Sequence, residues 1–577
     1  MERSPSRGQE DVLEDLGLRT HAVENALAEI IDALRTLMSH SIKSRRESNF
    51  PTRRAFLQRC AVATAGLIVL PRFSRASPSW SDGDPFSLGV ASGTPSTDGF
   101  VLWTRLAPQP LSSDPDRPGG VRPDRYAIRY DIATDPNLHH IVRSGEAAAD
   151  ALFAYSAHVE IQGLAPGRPY WYRFTCGDAQ SRIGKAATLP ASDAPETKLT
   201  LGFVSCANYE HGYFGAYRHL AEERPDLAVF LGDYIYEYIE KSPTKVRAHS
   251  DGVEATTLPL YRNRYAQYRT DPDLQRLHAD VPCIVTWDDH EVQNDYADRW
   301  SQTFDDPEVF LRRRAAAYQA FYEHMPVRPS RSLPHGAAMR VHDRFTYGRL
   351  AEISLLDGRQ YRSRAACYGP PDHGGNRNET DASCPELRVP SRSLLGDAQE
   401  KWLYDALAQS PARWNLIAQD VLMAQLRERT RDGDIQYWVD DWNGYPVARQ
   451  RLISHLHAAR VTNPVVLTGD IHSFWANDLK LDFDDAASQV VATELVGTSV
   501  SAHPPPYDLF LKFLPDNPHV RYFESRQRGY TTLDIDAKTI TARFRALADV
   551  TDPATEVETL KSFVVEDGRP GVVASSS

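Results

Sequence analysis

Four segments of this 577-residue chain share one pattern, in which a short apolar run ends on a residue able to bind a metal ion. The segments are 201–206, 227–233, 284–290 and 465–472. The polar residues at their ends are Cys206, Asp233, Asp289, His290, Asp470 and His472. Continuous apolar runs bounded by turn residues are typical of buried parallel strands, and ligands bind beyond the carboxyl ends of such strands. If the four ends lie side by side in one sheet, we expect a two-metal site.

The ligand types divide into two sets. Asp233 and Tyr236 stand three apart just past a strand, so a short turn can aim both at one point. A tyrosine phenolate favours Fe³⁺, Cys206 adds a thiolate, and His472 is a further candidate ligand for the iron. Taken alone each signal is weak, because a single Asp after a strand usually caps a helix and a buried Cys is usually a small apolar residue. Their joint occurrence predicts a metal centre.

The remaining carboxylates suit a harder cation. Asp289 and Asp470 offer oxygen ligands of the kind that Ca²⁺ or Mn²⁺ prefers. His290 directly follows Asp289 and is therefore expected to contact the substrate.

The surrounding sequence predicts two folded domains. Short strands between Gly and Pro turns predict an Ig/fibronectin-like β-sandwich over 83–190. The predicted strands are 86–91, 99–105, 126–133, 158–161 and 170–174. From 198 to 546 strands alternate with helices such as 308–324 and 397–407, which predicts an α/β catalytic domain. Residues 547–577 are expected to form a C-terminal segment and tail.

The amino-terminal region resembles an export signal. After an extension over 1–50, residues 51–76 contain Arg53 and Arg54, a short apolar stretch and a small residue before the expected cleavage point. This order is typical of a twin-arginine signal, whereas the alternative is a chance arginine pair before a core helix. We therefore expect an exported protein (periplasmic, cell-surface or secreted) that uses the twin-arginine machinery. In such an oxidising compartment Cys367 and Cys384 could pair.

Composition excludes two classes of function. A net charge of −12 argues against an extended basic surface for nucleic acid. No apolar run reaches the roughly 18 residues that a spanning helix needs, so no transmembrane segment is expected in the mature protein.

The motif order resembles a known family. Cys206, the Gly-Asp-x-x-Tyr of 232–236, the Asp-His-Glu of 289–291 and the Gly-Asp-x-His of 469–472 are similar to motifs of calcineurin-like metallophosphoesterases. They resemble most closely the PhoD-like alkaline phosphatases and phosphodiesterases, whose variants occur at Cys206, Asp289 and Asp470. The resemblance implies a metallophosphoesterase-type α/β sandwich with its active site at the strand carboxyl ends.

The same resemblance implies the ligands of two metals. Fe³⁺ would be held by Cys206, Asp233, Tyr236 and His472, and Ca²⁺ by Asp233, Asp289 and Asp470. Asn294 is a further candidate oxygen donor. The expected enzyme hydrolyses phosphate monoesters and diesters with metal-activated hydroxide and serves phosphate scavenging. His290 is expected to stabilise or protonate the leaving oxygen, and Arg264 to clamp a phosphate oxygen unless it lies on a solvated helix.

Two alternatives use the same fold. One is a phospholipase D-type phosphodiesterase acting on phospholipids. The other is a non-catalytic phosphate- or surface-binding protein.

Overall fold

The computed structural model describes residues 78–574 except 82, 113, 196 and 371–373, and these residues lie in one compact unit. The predicted extension and export signal lie outside the described residues. The strands are β1 Val90–Ser96, β2 Gly99–Arg105, β3 Tyr126–Ala133, β4 Ile141–Ala149, β5 Ser156–Ile161, β6 Pro169–Cys176, β7 Ala179–Gln180, β8 Gly184–Ala187, β9 Lys198–Val204, β10 Leu227–Leu231, β11 Cys283–Thr286, β12 Asp343–Tyr347, β13 Ala351–Leu355, β14 Asn378–Glu379, β15 Trp414–Ala418, β16 Glu428–Arg429, β17 Ile435–Trp438, β18 Pro464–Thr468, β19 Phe474–Lys480, β20 Val490–Val496, β21 Val520–Glu524, β22 Gly529–Asp536, β23 Thr539–Leu547, β24 Val557–Glu566 and β25 Arg569–Ala574. The helices are α1 Gly215–Glu223, α2 Leu258–Arg269, α3 Pro272–Asp280, α4 Pro307–His324, α5 Pro329–Ser332, α6 Gly396–Gln409, α7 Pro446–Ala458 and α8 Tyr507–Leu511.

Two large sheets pack face to face. The first has the order β25-β24-β23-β22-β9-β10-β11-β1-β2-β5, and the second has the order β12-β13-β15-β18-β20-β19-β21. Apolar side chains of both sheets share one core, for example Leu201 and Val229 with Ile353 and Leu416. Helices α1 to α4 cover the outer face of the first sheet, and α6 and α7 cover that of the second. The predicted α/β architecture of the region after 198 is therefore confirmed.

The two covered faces explain why the central strands are apolar throughout. In β10, Ala228 and Phe230 pack against the helices, while Val229 and Leu231 pack against the second sheet. Successive side chains of a strand point to opposite faces, so a strand covered on both sides has no position left for a polar residue.

The metal-binding strand ends come from both sheets. Strands β9, β10 and β11 are parallel neighbours in the first sheet, whereas β18 lies in the second, between β15 and β20. The expectation that all four ends share one sheet is wrong. Apolar packing places the two sheets face to face, and the ends meet across that interface.

The amino-terminal region forms two β layers, but one of them belongs to the core. Strands β3, β4, β6, β7 and β8 form a separate sheet, while β1, β2 and β5 extend the first large sheet. Strand β1 pairs in parallel with β11, with Gly93 opposite Cys283. The predicted sandwich therefore shares a sheet with the core instead of standing apart. Residues 86–88, predicted as strand, form turns, and the largely exposed β4 was not predicted.

Trp103 of β2 joins this region to the core. Its fully buried indole N–H donates to the Glu323 carbonyl at 3.0 Å, and the Arg269 guanidinium lies 4.1 Å from its ring. It also packs with Ala266 of α2. No helix in the described part of the chain is long and apolar enough to span a membrane.

We expect Trp103→Ala to lower the free energy of unfolding by about 3–5 kcal/mol, because it removes a large buried ring and leaves a cavity. Urea denaturation followed by circular dichroism measures the change. Leu152→Ala is the control, since Leu152 is 68% exposed and its loss should matter little. A Trp103 variant as stable as the control would show that this contact does not support the fold.

Candidate metal centre

Tight turns at the strand ends carry the candidate ligands. Cys206, Asp233, Asp470 and His472 all have left-handed backbones, with φ of 61°, 52°, 62° and 52°. Such conformations cost roughly 1–3 kcal/mol each for residues other than glycine, and they cluster at functional sites. Gly232 precedes Asp233 with φ of 95°, and a Cβ there would lie 2.5 Å from the Asp288 nitrogen. The close approach of these two turns therefore requires glycine.

The first cluster contains the soft and nitrogen ligands. Ligand atoms of Cys206, Asp233 and His472 lie within 4.8 Å of one another. The Tyr236 hydroxyl joins them, donating to Asp233 Oδ2 at 2.9 Å and lying 3.0 Å from His472 Nε2. His472 Nδ1 donates to the His503 carbonyl at 2.7 Å, which leaves Nε2 as the free ligand atom. These donors fit Fe³⁺, and all four residues predicted for it come together.

The second cluster is rich in carboxylates and shares Asp233 with the first. Asp233 lies within 4.8 Å of Asp289 and His290, and Asp289 within 4.8 Å of Asp288 and Asp470. All these oxygen donors fit a hard cation. The three residues predicted to hold calcium therefore adjoin the predicted iron ligands, with Asp233 common to both sets.

The electrostatics of the centre show an excess of buried negative charge. Burial raises the pKa of Asp233 well above its usual value, and neighbouring carboxylates raise it further. Burial likewise raises the pKa of the Cys206 thiol, the Tyr236 phenol and the Asp470 carboxyl. Ionising these groups together requires compensating positive charge, which bound cations supply.

Arg359 supplies part of the compensating positive charge. Its guanidinium is fully buried and contacts Asp288 at 2.5 Å, Asp440 at 2.7 Å and Asp289 at 3.8 Å. Arg359 was not predicted from the sequence. It follows strand β13 and Asp357, and this position beyond a strand end was the one signal in the sequence.

His290 has a carboxylate partner that the sequence analysis also missed. Glu237 Oε2 lies 2.7 Å from His290 Nδ1, and the imidazole stacks on Tyr236 with ring centroids 4.1 Å apart. Burial alone would lower the pKa of His290, but the surrounding carboxylates, Asp289 foremost, raise it well above its usual value. His290 therefore has one nitrogen fixed by Glu237, and Nε2 remains for a ligand.

Glu291 organises the turns that present these groups. Its buried carboxylate accepts the backbone N–H groups of Asp233 at 3.1 Å, Tyr234 at 2.7 Å and Asp288 at 2.9 Å. One side chain thus ties the turn after β10 to the turn after β11. The Asp-His-Glu motif contained this residue, but its role was not predicted.

Arg264 lies apart from the centre. It is fully buried in α2 and donates to the carbonyls of Tyr236, Tyr238 and Val253, and to Asp251. Its donors hold the segment after Tyr236, so they cannot clamp a phosphate, and the buried residue is not on a solvated helix either. The half-buried Asn294 donates its backbone N–H to Glu237 at 2.8 Å, and its role as an oxygen ligand stays a prediction.

Comparisons with known proteins agree with this geometry. The model of the PhoD-like phosphatase family matches residues 201–544, and that of the PhoD-like phosphatase N-terminal domain matches residues 73–190. Alkaline phosphatase D of Bacillus subtilis (strain 168) is 41% identical over 546 residues, which cover 92% of this chain and 90% of the relative. Purple acid phosphatase 15 of Arabidopsis thaliana is 25% identical over 176 residues, 29% of this chain and 32% of the relative.

A solved structure agrees over most of the fold. The structure described as PhoD superposes with a TM-score of 0.81 at 42% sequence identity, covering 87% of this chain and 94% of that chain. The α/β fold, the acidic and histidine clusters and these relatives together define a phosphoric ester hydrolase. The chain belongs to the PhoD-like phosphatase family. A non-catalytic binding protein is thereby excluded.

Glu210 anchors the segment beside the centre. Its buried carboxylate accepts the N–H groups of Glu240 at 2.5 Å and His249 at 3.2 Å, and contacts Lys245 Nζ at 3.2 Å. Burial alone would raise the pKa of Glu210, but the contacts with His249 and Glu240 outweigh it and lower the pKa to about 2. The ionised form is therefore favoured in the folded protein.

We expect Glu210→Gln to remove a pH-dependent part of the stability. Because the folded pKa lies below the unfolded one, this contribution is present above about pH 4.5 and is lost as the pH falls towards 2. At neutral pH the variant should be less stable by about 2–3 kcal/mol, and the difference should shrink below pH 4.5. Urea midpoints from pH 7 to 3 measure it, with exposed Glu222→Gln as control. A pH-independent difference would contradict the assignment.

Proposed function

We propose that the protein is an exported, metal-dependent alkaline phosphatase and phosphodiesterase that hydrolyses phosphate monoesters and diesters to release phosphate. The observation that carries the proposal is the pair of ligand clusters that share Asp233 at the sheet edge. Family membership supports the chemistry. The carboxylate-rich cluster next to a thiolate, phenolate and imidazole supports two different cations.

The clustering of the candidate ligands supports two ligand sets. Cys206, Asp233, Tyr236 and His472 would hold Fe³⁺, and Asp233, Asp289 and Asp470 would hold Ca²⁺. Both ions, when bound, would neutralise phosphoryl oxygens and lower the pKa of water.

The protein's own residues would protonate the leaving oxygen and hold the metal ligands in position. Glu237 fixes the imidazole of His290 through Nδ1, so Nε2 can hold the proton that the leaving oxygen needs. The Glu237 carboxylate, which is not a proposed metal ligand, favours the protonated imidazole through this contact. Glu291 holds the turns in register, so the ligands keep their positions.

Export is supported by two features. The twin-arginine pattern of 51–76 precedes the first domain. Cys367 and Cys384 form a disulfide, which is typical of proteins outside the reducing cytosol. The partners that we propose are the twin-arginine machinery and small phosphate esters.

Metal analysis together with two substrates tests the proposal. We expect purified protein to contain iron and calcium and to hydrolyse both p-nitrophenyl phosphate and its bis ester. Tyr236→Phe should remove a visible absorbance band, because the band arises from phenolate-to-Fe³⁺ charge transfer. Excess EGTA should abolish turnover, and added Ca²⁺ should restore it. A colourless, iron-free and fully active enzyme would contradict the iron assignment, and full activity in EGTA would contradict that of calcium.

The role of His290 predicts a dependence on the leaving group. His290→Asn should lower kcat for an alkyl phosphate such as glycerol phosphate by about 10²–10⁴, because an alkoxide needs a proton to leave. The loss should be much smaller for p-nitrophenyl phosphate, whose leaving group is stable as an anion. Glu237→Gln should show the same pattern more weakly. Equal losses on both substrates would assign His290 to binding instead of proton donation.

A further inference from the structure

A disulfide closes a segment that borders the metal centre. Cys367 and Cys384, 17 residues apart, are joined, and Cys384 is fully buried with Ala366, Leu387 and Val439. Within the described part of this segment, Gly375 lies against Asp295 and Asp440, two acidic residues beside Asp289. The cross-link therefore closes a segment that reaches residues bordering the proposed calcium ligands.

One set of contacts leads from the disulfide to Asp440. Arg377 Nη2 donates to the carbonyls of Ala366, at 2.9 Å, and of Cys367. The Arg377 carbonyl accepts the N–H of Val439 at 3.1 Å, and strand β14 then pairs with β17. Asp440 directly follows Val439. The position of Asp440 therefore depends on a segment whose ends the disulfide fixes.

A second set leads to Asp295. The Gly374 N–H donates to the Gln302 carbonyl at 2.9 Å, and Gln302 Nε2 donates to Asp295 Oδ2 at 3.1 Å. A Cβ on Gly375 would lie 2.8 Å from both Asp295 Cβ and Asp440 Oδ1. The backbone of Gly375 therefore packs closely against Asp295 and Asp440, with no room for a side chain between them.

Asp295 and Asp440 in turn adjoin a proposed calcium ligand. Their carboxylate oxygens lie within 4.8 Å of those of Asp289, and the Asp295 N–H donates to Asp289 Oδ2 at 2.6 Å. On its other side Asp440 is held by Arg359 at 2.7 Å and Arg362 at 3.0 Å. Asp289 is therefore oriented by residues that the disulfide-closed segment packs against.

We infer that the Cys367–Cys384 disulfide positions Asp440 and Asp295 beside Asp289, and thereby sets how tightly the centre binds a hard cation. The inference rests on the proposed calcium ligands. Removing the cross-link lets the segment move away, and the orientation of Asp289 then becomes less well defined. Residues that orient metal ligands typically change metal affinity 10- to 100-fold when they are lost.

The disulfide also makes the affinity for the cation dependent on the redox state of Cys367 and Cys384. The bond forms by exchange with a disulfide oxidant such as oxidised glutathione. The oxidant's S–S bond breaks, the Cys367–Cys384 bond forms, and the two thiol protons leave with the two oxidant thiols. A chain that folds with both thiols reduced therefore reaches full cation affinity only after oxidation, which suits activation outside the cell.

Calcium titration of the double variant Cys367→Ala/Cys384→Ala tests the inference. Isothermal titration calorimetry should show Ca²⁺ binding at least about tenfold weaker than in the parent protein. Hydrolysis of p-nitrophenyl phosphate should need correspondingly more Ca²⁺, while kcat at saturating Ca²⁺ stays close to that of the parent. A purely structural role would instead lower kcat or the folded fraction, which circular dichroism measures.

Two further variants complete the test. Cys176→Ala removes a buried cysteine from β6 and should leave Ca²⁺ affinity unchanged. Arg377→Met keeps the disulfide but removes the hydrogen bonds to the carbonyls of Ala366 and Cys367, so it should weaken Ca²⁺ binding by a smaller factor. If the double variant does not fold, Arg377→Met alone tests the inference. Unchanged Ca²⁺ affinity in the double variant overturns the inference and leaves the proposed function intact. If the double variant does not fold, unchanged Ca²⁺ affinity in Arg377→Met has the same meaning. A parent protein that binds no Ca²⁺ overturns both.

Discussion

Buried negative charge at the edge where the two sheets meet is the constraint on which the rest of the structure depends. Asp233, Asp288 and Asp289 are almost completely removed from solvent and stand within a few ångströms of one another. Isolated charges in such surroundings are strongly unfavourable, so carboxylates there must be paired, protonated or bound to cations. Burial and the neighbouring carboxylates raise the pKa of Asp233 further than His290 lowers it, so the protein's own groups compensate this carboxylate only in part.

The chain and the proposed cations divide this compensation between them. Arg359 pairs closely with Asp288 and Asp440, which gives those carboxylates a permanent partner. Asp233 lies in one cluster with Cys206 and His472 and in another with Asp289 and His290, and Asp470 lies within 4.8 Å of Asp288 and Asp289, so Arg359 pairs directly with neither of them. Arg359, which is part of the chain, and the proposed cations, which can exchange, therefore neutralise different carboxylates of the same cluster. Asp288 and Asp289 are adjacent in the sequence but differ in how closely Arg359 approaches them, at 2.5 Å and 3.8 Å.

The sequence predicts those parts of this arrangement that depend on local patterns, but not those that depend on contacts between segments far apart in the chain. Ligands at strand ends could be predicted, because an apolar run followed by a polar turn is a local pattern that parallel sheets repeat. The assignment of β18 to a second sheet could not, because it follows from packing between sheets. Arg264 was a candidate phosphate ligand because a guanidinium can clamp a phosphate oxygen, but burial directs its donors to backbone carbonyls. Asp440, by contrast, follows β17 of a separate three-stranded sheet, so the local sequence does not reveal that it lies beside Asp289.

The amino-terminal β layers gain a physical role from the same constraint. Strand β11 has four residues and carries the turn with Asp289, His290 and Glu291. Without β1 it would be the edge of the first sheet, and short edge strands are poorly held and prone to pairing with other chains. Gly93 allows β1 to approach, because a Cβ there would lie 2.6 Å from the Pro326 carbonyl and 3.0 Å from that of Cys283. The region before the catalytic core therefore completes the sheet on which the metal-binding turns are built, and a catalytic core without it would lack one partner of the strand that its chemistry requires.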